Sequence, residues 1–228
     1  MGPATLSVWT GWRTEEQQVW LDALLERLPA WLALIEPGPS LPLFEDTRHH
    51  HRFALVLEAP VIIGLTAERM EQVTVAMARD WLQLFSPEVY LPSREARVGV
   101  HLAALRPMVF EGHEWVHRDN RDRLERELGA RGWRLPSEAE WELQWQLARG
   151  RAPIEFGQVE LCADDWHVGF EGAPLDGQPW GRGAEVVRHF DASGESVDAV
   201  MPSRRPVRST SIAQVRPVID VPREGGPR

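Results

Sequence analysis

Residues 132–150 read GWRLPSEAEWELQWQLARG. Pro136 fixes the backbone at a helix entrance, and Ser137 is a residue type that caps such an entrance. Glu140, three positions after Ser137, completes a reciprocal capping box. Trp141, Trp145 and Ala148 then share one helical face, and Gly150 stops the run. This stretch predicts a helix over about 138–149 that anchors a tryptophan in the core of an α+β domain.

Upstream, residues 118–128 (RDNRDRLEREL) predict a charged helix stopped by Gly129 and Gly132. A strand is expected near 98–102 and another near 108–110. Residues 53–63 predict one or two strands around Pro60, and Thr66 opens a helix to about Phe85. At the start, Thr14 and Gln17 fit a capping box ahead of Val19, Trp20, Ala23, Leu24 and Leu28. After Pro29, Trp31, Leu32, Leu34 and Ile35 are expected to continue as a kinked or second short helix. The predicted organisation is an N-terminal helical segment over 1–48, one irregular α+β domain over 49–222 and a frayed tail over 223–228.

Composition removes several functions. The chain has 228 residues and a formal net charge of −9. An acidic chain disfavours nucleic acid and anionic membranes as partners and suits a protein partner with a basic or neutral face. Every one of its 25 cationic residues is arginine, which excludes a P-loop lysine and a Schiff-base lysine. Cys162 is the single cysteine, so no internal disulfide forms. No apolar run approaches the roughly 20 residues of a membrane span, and no signal-peptide pattern opens the chain; the expected compartment is cytoplasmic.

Two histidine groups raise metal chemistry. His113-Glu114-Trp115-Val116-His117 matches H-E-x-x-H, in which two imidazoles four apart grip zinc while the glutamate activates water. Arg118, Asp119 and Asn120 follow where a buried helix would be apolar, and no third ligand is evident. His49, His50 and His51 form a loop tract whose adjacent side chains seldom converge on one ion.

The nonapeptide Arg134-Leu135-Pro136-Ser137-Glu138-Ala139-Glu140-Trp141-Glu142 resembles the signature of the formylglycine-generating enzyme family, the sulfatase-modifying-factor domain with a variant C-type lectin fold. Outside it the similarity is eroded. Glu160-Leu161-Cys162-Ala163-Asp164-Asp165-Trp166-His167-Val168 stands where the family has a Gly-Asn-Val-Trp-Glu-Trp motif. Val187 to Asp191 resembles its Arg-Gly-Gly-Ser-Trp strand with both glycines lost. Gln214-Val215-Arg216-Pro217-Val218 resembles its terminal Gly-Phe-Arg-Pro-Val. The resemblance spans roughly 53–220.

The resemblance implies copper-dependent oxidation only where two late cysteines bind Cu(I), and this chain has none after Cys162. It implies calcium where carboxylates gather near the Trp motif, and Asp164, Asp165, Asp176 and Asp191 offer hard oxygens. It also implies a third outcome, a diverged paralogue retained for binding without catalysis and without a cofactor, and this is the expected function. Binding groups are then expected on the loops of 164–210, at Trp166, Phe170, Trp180, His189, Arg204 and Arg205. The alternative is a metal-dependent oxidoreductase or hydrolase, with Fe or Zn on histidines such as His113 and His117, and Asp164 and Asp165 as further candidate ligands.

Overall fold

The computed structural model describes residues 5–37, 41–63, 93–109, 118–149, 153–157, 159–165, 172–181, 185–189, 203–206 and 214–222. The chain is mixed α/β, with mostly antiparallel pairing and few helices among these residues. The helices are α1 (Leu6–Gly11), α2 (Thr14–Leu25), α3 (Arg118–Ala130) and α4 (Glu138–Arg149). The principal sheet has five strands: β1 (Leu32–Glu36), β2 (Leu43–Asp46), β3 (His51–Val56), β6 (His101–Ala104) and β11 (Val218–Asp220), in the order β1-β2-β3-β6-β11. A two-stranded ribbon pairs β4 (Ala59–Ile63) with β5 (Arg94–Val98). A four-stranded sheet, ordered β10-β7-β8-β9, holds β7 (Val159–Asp165), β8 (Glu185–His189), β9 (Ser203–Pro206) and β10 (Gln214–Val215). Its β10–β7 pair is parallel and the rest is antiparallel.

The N-terminal segment differs from its expectation. Residues 32–36 form a strand, because Leu32 to Leu34 pair antiparallel with Asp46 to Phe44 and continue the principal sheet. Trp20, Leu21 and Leu24 of α2 pack in the same buried cluster as Phe53, Leu102, Leu128, Trp133 and Ile219. Residues before 49 thus contribute two strands and two helices to the shared core. The cap of α2 is shifted by one residue: Glu16 Oε2 accepts from the Arg13 backbone N–H at 2.8 Å. Gln17 instead donates to the Trp9 carbonyl at 2.9 Å, tying α2 to α1.

Other elements match their expectations more closely. Pro60 lies inside β4 opposite Arg97, in a ribbon that pairs on one side, where the missing N–H costs no ladder bond. The strand expected near 98–102 is two strands, broken at Gly99 and Val100. Met108 makes a single bridge with Val215. The chain leaves α3 at Gly132, whose φ of +75° suits glycine, and the Leu128 carbonyl accepts from Trp133 N–H at 2.9 Å. The helix expected over 66–85 lies outside the described residues.

Helix α4 forms where the sequence placed it, and its cap has the expected geometry. Glu140 Oε2 accepts from Ser137 N–H at 2.8 Å, and Ser137 Oγ accepts from Glu140 N–H at 3.1 Å. Its burial exceeds one stripe, since residues 138–145 are all buried. Trp141 and Trp145 enclose Cys162 with Phe156 at their side, the Trp141 and Phe156 rings meeting edge-on at 5.0 Å.

Candidate functional site

The nonapeptide is a junction between elements. The Arg134 backbone exchanges both hydrogen bonds with Val218, at 2.9 Å each, which stitches it to β11. The Pro136 carbonyl accepts from Ala163 N–H of β7 at 2.8 Å. Ser137 Oγ donates to the Gly177 carbonyl at 2.6 Å while it caps α4. Leu135 is buried, and the Glu138 carboxylate is enclosed with it. Trp141 Nε1 donates to Glu160 Oε2 at 2.9 Å.

One side of this junction opens into a cleft of about 680 Å³. Trp20 of α2 and Arg27, just past its end, form one wall. Arg97, Gly99 and Val100, at the break between β5 and β6, form another, with Glu58 beside them. Leu175 to Gln178 close a third side, and Asp220 to Pro222 a fourth. Arg134 and Glu140 lie at the base.

Electrostatics fix that base. Arg134 holds Glu140 through two hydrogen bonds, at 2.8 and 2.7 Å, and Asp220 at 2.7 and 2.9 Å. Burial opposes the charge on Glu140, but the Arg134 hydrogen bonds and charge and the Ser137 N–H outweigh it and keep its pKa below the ordinary carboxylate value. Burial likewise opposes the Arg134 charge, and its two carboxylates outweigh this and raise its pKa. Behind the base, His101 is 1% exposed. Its Nδ1 faces the Gly99 carbonyl at 3.0 Å, and its Nε2 faces Gln144 Nε2 at 3.1 Å. Gln144 Nε2 can only donate, so His101 is neutral with its proton on Nδ1. Burial pushes its pKa down, against the pull of Glu140.

The rim is set by the loop that precedes Trp180. Arg97 N–H donates to the Leu175 carbonyl at 2.7 Å, and Asp176 Oδ1 accepts from Gln178 N–H at 3.1 Å. Gly177 has φ +72°, and a Cβ there would sit 3.1 Å from the Arg97 carbonyl oxygen. Glycine therefore allows the loop to lie flat against β5. Leu175 is 57% exposed at the mouth of the cleft.

The residues proposed from sequence fall in different places. Asp164 Oδ2 accepts from Glu138 N–H, at the start of α4, and Oδ1 accepts from Trp180 N–H at 3.0 Å. Both oxygens serve backbone amides, which is a helix-capping arrangement rather than an open ligand set. Trp180 is half-buried and packs on the cluster of Val61, Val98 and Leu143. Asp165 lies in β7 opposite Glu185. His189 pairs with Ser203, Arg204 with Arg188 and Arg205 with Val187, so these three share the β8–β9 pair at one margin of the four-stranded sheet. Trp166, Phe170, His113 and His117 lie outside the described residues. His49 and His51 lie edge-on to Trp133, at 5.3 and 5.2 Å between centroids, and His50 Nδ1 lies 3.1 Å from Glu45. Among the described residues no group of three or more His, Cys, Asp or Glu is placed to hold a metal ion. No helix among them is long and apolar enough to cross a membrane.

Sequence reasoning named Asp176 only as a cation ligand and did not select Arg27, Glu58, Arg97 or Val100. The Asp176-Gly177 pair was the one local signal, a turn dipeptide. No family model matches the chain, and no curated protein matches it. A solved structure does resemble it. That structure is PvdO from Pseudomonas aeruginosa. It is 12% identical, the likeness covers 77% of this chain and 97% of PvdO, and the TM-score is 0.49. The relationship to PvdO is a distant structural one.

Proposed function

We propose that the chain is a non-catalytic ligand-binding module on a scaffold of the formylglycine-generating-enzyme type, with this cleft as its binding site. The observation that supports the reading most directly is the composition of the cleft. Its volume of about 680 Å³ falls within the roughly 300–1,000 Å³ of small-ligand sites. Its described lining has charged groups and apolar surface together, but no serine, cysteine, histidine, tyrosine or lysine. Its most buried carboxylate, Glu140, is held ionised by Arg134. The fixed ion pairs favour a site formed before the ligand arrives, which lowers the ordering cost of binding.

The cleft shares Leu175 to Gln178 with the 164–210 surface expected from sequence. A thermal-shift screen of a small-molecule library tests the proposal, because a ligand that binds only the folded state raises Tm. The full chain is compared with Val100→Trp, which fills the cleft from a partly buried position. Compounds that stabilise the wild type and lose that effect in the variant are expected. A screen without stabilising compounds, or one whose compounds act equally on both proteins, overturns the reading.

A further inference from the structure

Three arginines and four carboxylates line the cleft, and most are already matched. Arg134 is taken up by Glu140 and Asp220, and Arg97 NH1 lies 3.2 Å from Glu58. Two charges remain. Arg27 is half-buried, and its contacts are with carbonyls: Nε donates to Ala23 at 3.2 Å and NH1 to Pro222 at 3.4 Å. Asp176 is exposed, and among the described residues its one hydrogen bond is from Gln178 N–H to Oδ1, which leaves Oδ2 open. The unmatched pair is thus one guanidinium and one carboxylate, on different walls of one cavity. The same lining includes the apolar residues Trp20, Val100 and Val221.

From this we infer that the ligand is a small zwitterion of the amino-acid type, bearing a carboxylate, an ammonium group and an apolar side chain. The carboxylate lies on Arg27, whose planar fork suits two oxygens. The ammonium lies on Asp176, and the side chain covers Trp20 and Val100. Phosphate-bearing ligands fit poorly, because a dianion would meet four carboxylates against three guanidinium groups. A ligand of no net charge leaves the wall's balance unchanged.

This inference rests on the cleft being the binding site, and the experiment separates the two. Calorimetric titration of the full chain uses L-phenylalanine, its methyl ester and N-acetyl-L-phenylalanine. The ester keeps only the cation, and the acetylated form only the anion. L-Phenylalanine is expected to bind about tenfold more tightly than the ester, which loses the contact with half-buried Arg27, and about threefold more tightly than the acetylated acid, since the exposed Asp176 is screened by solvent. Arg27→Gln is expected to bring L-phenylalanine down to the level of the ester, and Asp176→Asn down to the level of the acetylated acid. Equal affinity for all three probes overturns the inference, as does L-phenylalanine binding unchanged in both variants. Failure of all three probes, while library compounds still lose their effect in Val100→Trp, overturns the zwitterion and leaves the cleft standing. Binding of L-phenylalanine that Val100→Trp does not weaken overturns the cleft itself.

Discussion

Arg216 and Glu160, 56 positions apart, form an ion pair with both side chains 0% exposed. Arg216 Nε donates to Oε2 at 2.9 Å and NH2 to Oε1 at 2.8 Å. The pair is hydrogen-bonded beyond itself. Glu160 also accepts from Trp141 Nε1 and from Gly157 N–H, and Arg216 donates to the carbonyls of Ala104 and Glu155. Its guanidinium lies over the Phe156 ring, 4.3 Å from the centroid. The site thus joins α4, β7 and β6 to the segment between β10 and β11. Buried charges persist only when their remaining donors and acceptors are filled in this way.

Removing one member leaves the other charged and dry. Glu160→Gln and Arg216→Met should each destabilise by about 3–5 kcal/mol. The double variant should cost less than their sum, because neither charge is then left alone. Urea unfolding of the three variants checks this; strictly additive losses would contradict the coupling.

Trp141→Ala should destabilise by about 3–5 kcal/mol, the usual cost of emptying a large aromatic site. The side chain is 0% exposed, and its loss also removes a donor to Glu160. Trp141→Phe retains most of the apolar volume and should cost less. Equal midpoints for Trp141→Ala and wild type would contradict the packing.

Acid should destabilise the fold through His101. Burial holds its pKa below the ordinary value of 6.5, so the unfolded chain takes up a proton before the folded one. Stability therefore falls as pH drops below about 6.5. His51, also lowered by burial, adds to the same slope. His101→Gln should flatten the slope in that window. Below it, the stabilisation from Glu140 is lost as pH falls through its own lowered pKa, and the Arg134 contact goes with it. Thermal melts across pH 5 to 7 on wild type and His101→Gln, at a constant ionic strength, measure the difference; identical slopes would sink the assignment.

Copper and oxygen should not convert a cysteine-containing sulfatase-type peptide to its formylglycine form in the presence of this chain. A Cu(I) site of two thiolates needs two cysteines, and Cys162 is single and 0% exposed, between Trp141 and Trp145. Elemental analysis of the purified protein should find Fe, Cu and Zn well below one per chain. Turnover that survives Cys162→Ala, or a stoichiometric transition metal, would restore the metal-dependent alternative.

Local chemistry was legible where partners stand a few positions apart. The cap of α4 links Ser137 to Glu140, three residues on, so the spacing alone specified it. The same logic misplaced the cap of α2 by one residue, since Glu16 and Gln17 are both suited to the role. Residues 32–36 read as helix because Leu32, Leu34 and Ile35 fit both periods in so short a run. Their partners, Phe44 to Asp46, made them a strand. Asp164 looked like a free carboxylate, but the amides it serves, Glu138 and Trp180, are supplied by other segments.

By itself, the sequence determined that α4 would start at a capped Pro-Ser entrance, that Trp141 would be its anchor and that no two-thiol site could form. These follow from residue identity and from interactions within one helical turn. Tertiary structure alone decided that Arg216 meets Glu160, that Arg134 bridges Glu140 and Asp220, and that Arg27 and Asp176 line one cleft. Each of these joins groups from separate segments. A charge has no partner written in its own neighbourhood; burial makes it find one, and the packing of the sheets and helices selects which.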